Sequence, residues 1–157
     1  MTPIFDTHAH YDDEAFDEDR DALLTGLPEN GIARVVNVGA SLASCKRTIE
    51  LMNRYDYIYG AIGVHPSETA ELNDRAFDWL RQQCQLGKCV AVGEIGLDYY
   101  WDEPDRELQK EWFRRQLNMA RELDKPVIIH SRDAAKDTVE LMTEEHAEEI
   151  GGVIHCY

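Results

Sequence analysis

The sequence predicts an α/β barrel with a parallel sheet, on three observations. Short apolar, β-branched runs alternate with amphipathic helical stretches along the whole chain. Polar residues follow those runs: His8 and His10 after Pro3 to Phe5, Glu94 after Cys89 to Val92, His130 after Val127 to Ile129, and His155 after Val153 to Ile154. They therefore sit at the C-terminal ends of strands, the end that carries the chemistry in such barrels. Finally, Thr7-His8-Ala9-His10 occupies the position where a doubly wound nucleotide-binding sheet would carry a glycine-rich phosphate loop.

The elements follow in order. Pro3 to Thr7 is the first strand, then an acidic segment and a short helix ending near Asn30-Gly31, where glycine suits a helix C-terminus. Ala33 to Gly39 is the second strand. Ser41 caps a helix reaching about Tyr55, with Leu42, Cys45, Ile49 and Met52 at helical spacing. Tyr57 to Val64 is the third strand, closed by His65-Pro66. A helix over Asp74 to Gln85 carries the stripe Ala76, Phe77, Leu80 and Cys84. Cys89 to Glu94 is the fourth strand, and a long aromatic loop runs from Ile95 to Asp105. The helix from about Glu103 to Leu123 presents Leu108, Trp112, Phe113, Gln116, Leu117 and Ala120. Val127 to His130 is the fifth strand, Asp133 is placed to cap a helix to about His146, and Gly151 to Cys156 is the sixth strand. No linker or low-complexity stretch divides the elements, so residues 1–157 form one folding unit.

Composition bounds the function. The 157 residues are 43% hydrophobic and 30% charged, which suits a globular domain with its own core. No apolar run is long enough to cross a bilayer, and the first residues carry no signal-like core, so the expected location is cytoplasmic, with no membrane partner. Cys45, Cys84, Cys89 and Cys156 lack C-x-x-C spacing and read as reduced thiols; Cys156, directly after His155, either neighbours the metal or, as favoured, is a small packing residue. The net charge of −15 weighs against broad nucleic-acid binding but not against a local pocket that admits one strand end. The acidic stretches Asp12 to Asp21 and Glu140 to Glu149 read as solvated faces.

His8 and His10 alternate along a strand, so both rings face one side and can share a metal; the plain alternative is a hydrogen-bonded surface pair. Glu94 after an apolar strand is costly to bury without a cation or donors, and a salt bridge is its alternative reading. His130 or His155 alone would be a core histidine; recurrence at equivalent strand ends points to ligation instead. His65 precedes Pro66, which holds it extended, and it either contacts a substrate phosphate or positions a loop. Arg132 either grips a phosphate or pairs with an acidic neighbour. His146 belongs to the solvated surface. Tyr99, Tyr100 and Trp101 either stack on a nucleobase or anchor their loop, and a mixture is expected.

Asp6-Thr7-His8-Ala9-His10, Gly63-Val64-His65-Pro66, Gly93-Glu94-Ile95-Gly96-Leu97-Asp98-Tyr99, His130-Ser131-Arg132 and His155-Cys156 together resemble the TatD-like metal-dependent hydrolases of the amidohydrolase-like superfamily. The resemblance covers essentially the whole chain, in order. It implies a TIM-type (β/α)8 barrel and two divalent ions, with Zn, Mn or Mg all admissible. His8 and His10 would bind one ion, Glu94 would bridge both, and His130 and His155 would complete the second. Glu94 and His65 would act in catalysis, with His65, Asp98 and Arg132 toward substrate. The implied reaction is ester hydrolysis by activated water, foremost 3′–5′ exonucleolytic cleavage of DNA ends. The alternatives are a carboxylic ester substrate such as aminoacyl-tRNA, or a catalytically incompetent binding or assembly fragment. A complete barrel has eight β-α units over about 250 residues, so this chain reads as truncated after about six strands. It lacks the family's late aspartate, which orients or deprotonates the attacking water. Two open sheet edges are then expected, inviting self-association or docking of the missing part.

Overall fold

A computed structural model describes residues 2–101 and 103–156. Strands β1 (Ile4–Ala9), β2 (Ile32–Val38), β3 (Ile58–Ile62), β4 (Cys89–Asp98), β5 (Val127–Arg132) and β6 (Gly152–His155) form one sheet in sequential order. Every pairing is parallel. Helices α1 (Arg20–Gly26), α2 (Leu42–Arg54), α3 (Asp74–Gln83), α4 (Arg106–Glu122) and α5 (Ala135–Glu144) lie in the connections. Side chains start several of them: Ser41 Oγ accepts from the Ser44 N–H at 3.1 Å, and Asn73 Oδ1 accepts from the Ala76 N–H at 3.1 Å.

The sheet is curled, not flat. With strands about 4.8 Å apart, the ends of a flat six-stranded sheet would be roughly 24 Å apart. Yet the rings of His8 in β1 and His155 in β6 have centroids 4.4 Å apart. The curl forms a trough whose concave side holds the aliphatic residues Val36, Val38, Ala61, Ala91 and Ile128. Most of the convex side packs Ile62, Val92, Ile95, Leu97, Val127 and Ile129 against α3, α4 and α5 through Phe77, Leu80, Trp112, Phe113, Leu117 and Leu141. The edge strands leave Ile4, Phe5, Val153 and Ile154 exposed.

Several boundaries depart from the sequence reading. β4 does not stop at Glu94 but continues to Asp98, with Ile95 and Leu97 fully buried. Between Val92 and Ile95, Gly93 and Glu94 of β4 oppose the single residue Ile128 of β5, a bulge that re-aims the Glu94 side chain. β1 has a similar irregularity between Asp6 and Ala9, so it too runs further than expected, through His8. The first helix is only Arg20–Gly26; the Pro28–Asn30 segment is a separate 3₁₀ turn closed by left-handed Gly31. Asp133 does not cap α5: it adopts φ 52°, and Ala134 takes the cap position without a side-chain hydrogen bond. Asp12, expected on a solvated face, is 3% exposed. Its carboxylate accepts from Asn37 Nδ2 at 2.8 Å and Ser44 Oγ at 2.5 Å, tying the segment after β1 to β2 and α2.

Candidate metal centre

Strand ends on the concave rim bring His8, His10, His65, Glu94, His130 and His155 into one pocket region around the buried Glu94 carboxylate. Oε2 lies 3.4 Å from His8 Nε2 and 3.5 Å from His10 Nε2, and those two nitrogens are 3.2 Å apart. Ligands about 2.1 Å from a shared tetrahedral ion stand about 3.4 Å from one another. Oε1 lies 2.7 Å from His155 Nε2, 3.0 Å from His130 Nδ1 and 3.7 Å from His65 Nε2. Among the described residues, His8, His10 and Glu94 form one group able to hold a cation, and Glu94, His130 and His155 another.

The chemistry of these atoms fits a metal. His10 Nδ1 contacts the Val38 carbonyl at 2.8 Å, which assigns the proton to Nδ1 and leaves the Nε2 lone pair facing His8 and Glu94. His130 Nε2 lies 2.9 Å from Asp98 Oδ2, so Nε2 carries the ring proton and donates it in a hydrogen bond to that carboxylate. His130 Nδ1 is then a buried nitrogen with no hydrogen-bond partner, 3.0 Å from a carboxylate oxygen. Lone pairs converging on a carboxylate need a cation between them.

The same contacts shift the protonation of these groups. Burial alone would raise the Glu94 carboxyl, but the His130 and His8 rings beside it outweigh burial and hold it well below the usual carboxylate range. Burial would lower His130, but the Glu94 and Asp98 carboxylates prevail and raise it. Burial lowers His155. His65 is lowered to about 4, chiefly by burial and then by its His130 neighbour, so its ring is neutral near pH 7.

The other sequence candidates have distinct placements. Asp98 is buried with both oxygens engaged, Oδ2 by His130 and Oδ1 by the Tyr100 N–H at 3.0 Å. Arg132 lies with its guanidinium 3.7 Å from the Tyr100 ring centroid. His146 is exposed, as expected. Cys45, Cys84 and Cys89 are buried free thiols, but Cys156 is exposed on the wall of the pocket and so is not the packing residue expected.

The sequence points to Gln116 only as part of a helix face and not to Gln109, yet both are positioning residues. Gln109 and Gln116, both buried on α4, each clamp a backbone unit at a strand end. Gln116 Oε1 accepts from the Val64 N–H at 2.8 Å while its Nε2 donates to the Val64 carbonyl at 3.1 Å, next to His65. Gln109 Oε1 accepts from the Asp98 N–H at 2.9 Å while its Nε2 donates to the Asp98 and Pro104 carbonyls at 3.0 and 2.9 Å. Gln109→Leu would leave those backbone groups buried without partners. We expect a loss of about 3 kcal/mol or more in urea unfolding, from roughly 1–3 kcal/mol for each of the stranded groups. A change below about 0.5 kcal/mol would mean the clamp does not carry Asp98.

The model of the family described as TatD related DNase matches residues 5–157. An uncharacterized metal-dependent hydrolase, YabD of Bacillus subtilis, is 40% identical over 154 residues, covering 98% of this chain and 60% of YabD. A protein of Cronobacter sakazakii named 3′-5′ ssDNA/RNA exonuclease TatD is 30% identical, covering 98% of this chain and 59% of its own length. The crystal structure of a TatD family hydrolase from Entamoeba histolytica superposes with a TM-score of 0.90 at 28% identity, covering 99% of this chain and 58% of that one. The chain thus spans about three fifths of the length of the curated relatives it matches.

Proposed function

Since this chain belongs to the TatD related DNase family, we propose that it carries the metal centre of a divalent-metal-dependent hydrolase that cleaves phosphodiesters at the 3′ ends of single-stranded DNA. The observation that carries the reading is the buried Glu94 carboxylate ringed by imidazole nitrogens, with the His130 Nδ1 lone pair unpartnered beside it. His8, His10 and Glu94 would hold one ion, and Glu94, His130 and His155 a second. Bound there, divalent ions supply Lewis-acid stabilisation of phosphoryl oxygens and make water a better nucleophile.

The chain's own residues do the rest. Val38 and Asp98 fix the tautomers of His10 and His130, so both rings present lone pairs inward. His65 Nδ1 accepts from the Ser67 N–H at 3.1 Å, which leaves its Nε2–H directed at the centre, 3.7 Å from Glu94 Oε1. A neutral His65 therefore donates a hydrogen bond to a phosphoryl oxygen as negative charge develops there. The relative named as a 3′-5′ exonuclease supports the phosphodiester substrate.

The net charge of −15 favours a second reading in the same site, a carboxylic ester such as an aminoacyl-adenosine, because no broad basic surface tracks a polyanion. The test offers a 3′-labelled single strand and an aminoacyl-adenosine ester to metal-loaded protein. Shortening of the strand from its 3′ end, faster than ester cleavage and stopped by chelation, supports the nuclease. Faster ester cleavage overturns it, and absence of bound metal by elemental analysis overturns both.

Chelation also has a structural prediction. The ligands come from β1 and the residue after it, β4, β5 and β6, so two ions sharing Glu94 would together tie the first strand to the last across the trough. At about 100 times its dissociation constant a ligand stabilises by roughly 2.7 kcal/mol, or about 5–10 °C for a domain of this size. EDTA should lower the melting temperature by that amount in scanning fluorimetry, and re-added metal should restore it. An unchanged transition would argue against metal spanning the strands.

A further inference from the structure

The loop after β4 carries an exposed aromatic step that the chemistry above does not use. Tyr99 is its anchor: half-buried, its hydroxyl donates to Asp137 Oδ2 at 2.8 Å and the Arg106 guanidinium lies 4.3 Å from its ring centroid. Tyr100 and Trp101 are different, at 52% and 60% exposed. Large rings side by side in water mark a surface that something else covers.

The step is held in place and sits beside the metal centre. The Tyr100 N–H donates to Asp98 Oδ1, and the other Asp98 oxygen binds His130. Arg132, two residues past His130 in β5, lays its guanidinium on the Tyr100 ring. Trp101 stands at 86° to Tyr100 with centroids 4.7 Å apart. Among the described residues, no other ring and no cation lies against the Trp101 indole. Trp101 lies three positions beyond Asp98, so their Cα atoms are within about 11 Å.

We propose that Trp101, propped by Tyr100 and Arg132, is a stacking surface for a nucleobase of a single-stranded substrate whose backbone enters the metal centre. The choice of ligand rests on the phosphodiester reading above. The charge of the chain selects a nucleobase. With a net charge of −15 the chain gains little from broad phosphate contacts, so affinity for a strand must come from uncharged contact. Base–aromatic stacking is such a contact, and it tolerates any base.

The experiment uses a short phosphorothioate single strand, resistant to cleavage, with 2-aminopurine at each of its last positions in turn, in Mg²⁺. Wild-type protein should bind it and quench the 2-aminopurine at one position. Trp101→Ala should bind about ten-fold or more weakly and lose that quenching, while Trp101→Phe keeps most of both. A strand abasic at that position should bind wild type and Trp101→Ala alike. No binding by wild type, no quenching, or the same affinity and quenching in Trp101→Ala overturns the proposal. A separate cleavage assay on an unmodified strand keeps the two readings apart. Stacking without cleavage sinks the nuclease alone, whereas cleavage without Trp101-dependent quenching sinks the stacking surface alone.

Discussion

Replacing Glu94 by glutamine is expected to empty the metal centre and cut strand cleavage by about 10³-fold or more, equivalent to roughly 4 kcal/mol of transition-state stabilisation. The substitution is nearly isosteric, so the fold should persist; only the charge changes. Both Glu94 oxygens face imidazole nitrogens, Oε2 at 3.4 and 3.5 Å and Oε1 at 2.7 and 3.0 Å. An amide offers one oxygen and no negative charge where four rings converge, so neither candidate ion keeps its shared ligand. Elemental analysis and a 3′-labelled strand assay, run beside wild type and the surface control His146→Gln, report both effects. Full metal content with undiminished cleavage in Glu94→Gln would remove Glu94 from the centre.

Gly96→Ala is expected to cost about 3 kcal/mol or more, combining left-handed backbone strain with overpacking. Gly96 has φ +138°, and a Cβ there would stand 2.0 Å from the His130 carbonyl oxygen, part of the backbone of β5. A carbonyl in a paired strand cannot step aside without breaking the register Gly96↔His130. The loss should appear in urea unfolding and, because His130 moves with that backbone, in weaker metal binding as well. Gly87→Ala is the matched control, since a Cβ there meets nothing within 4 Å. A Gly96→Ala protein within about 0.5 kcal/mol of wild type would contradict this β4–β5 pairing.

How much of this the residues disclosed varies by element. His8, His130 and His155 were legible because each ends or follows a β-branched run, and in a parallel sheet with sequential order such positions share one rim. Glu94 was legible as a polar residue after an apolar run, but its strand was not read to its end. Gly93, Glu94, Gly96 and Asp98 break the apolar pattern that marks a buried strand, and the bulge that accommodates them has no one-residue signature. The burial of Asp12 is not legible in the sequence, because a carboxylate in an acidic stretch carries no mark of it; only the fold brings Asn37 and Ser44 to it. Arg132 stacks on Tyr100, a contact set by loop conformation that periodicity does not encode. Gln109 and Gln116 were hidden by chemistry: a glutamine in a helix stripe reads as a neutral helix former until the strand end it touches is known.

That last pair has a consequence for how this molecule can change. Gln109 and Gln116 lie seven residues apart, about two turns or roughly 10.5 Å along one helix, and each grips a different strand end. α4 therefore works as a two-toothed comb whose spacing is fixed by helical geometry. One inserted or deleted residue between the teeth would swing one of them by about 100°, so the helix tolerates neither. The environments of His65 and Asp98 are thereby coupled: a shift of α4 moves both, and neither can be adjusted from the helix alone. Retuning of the pocket is left to the loops above the rim, which can vary in length without disturbing the comb.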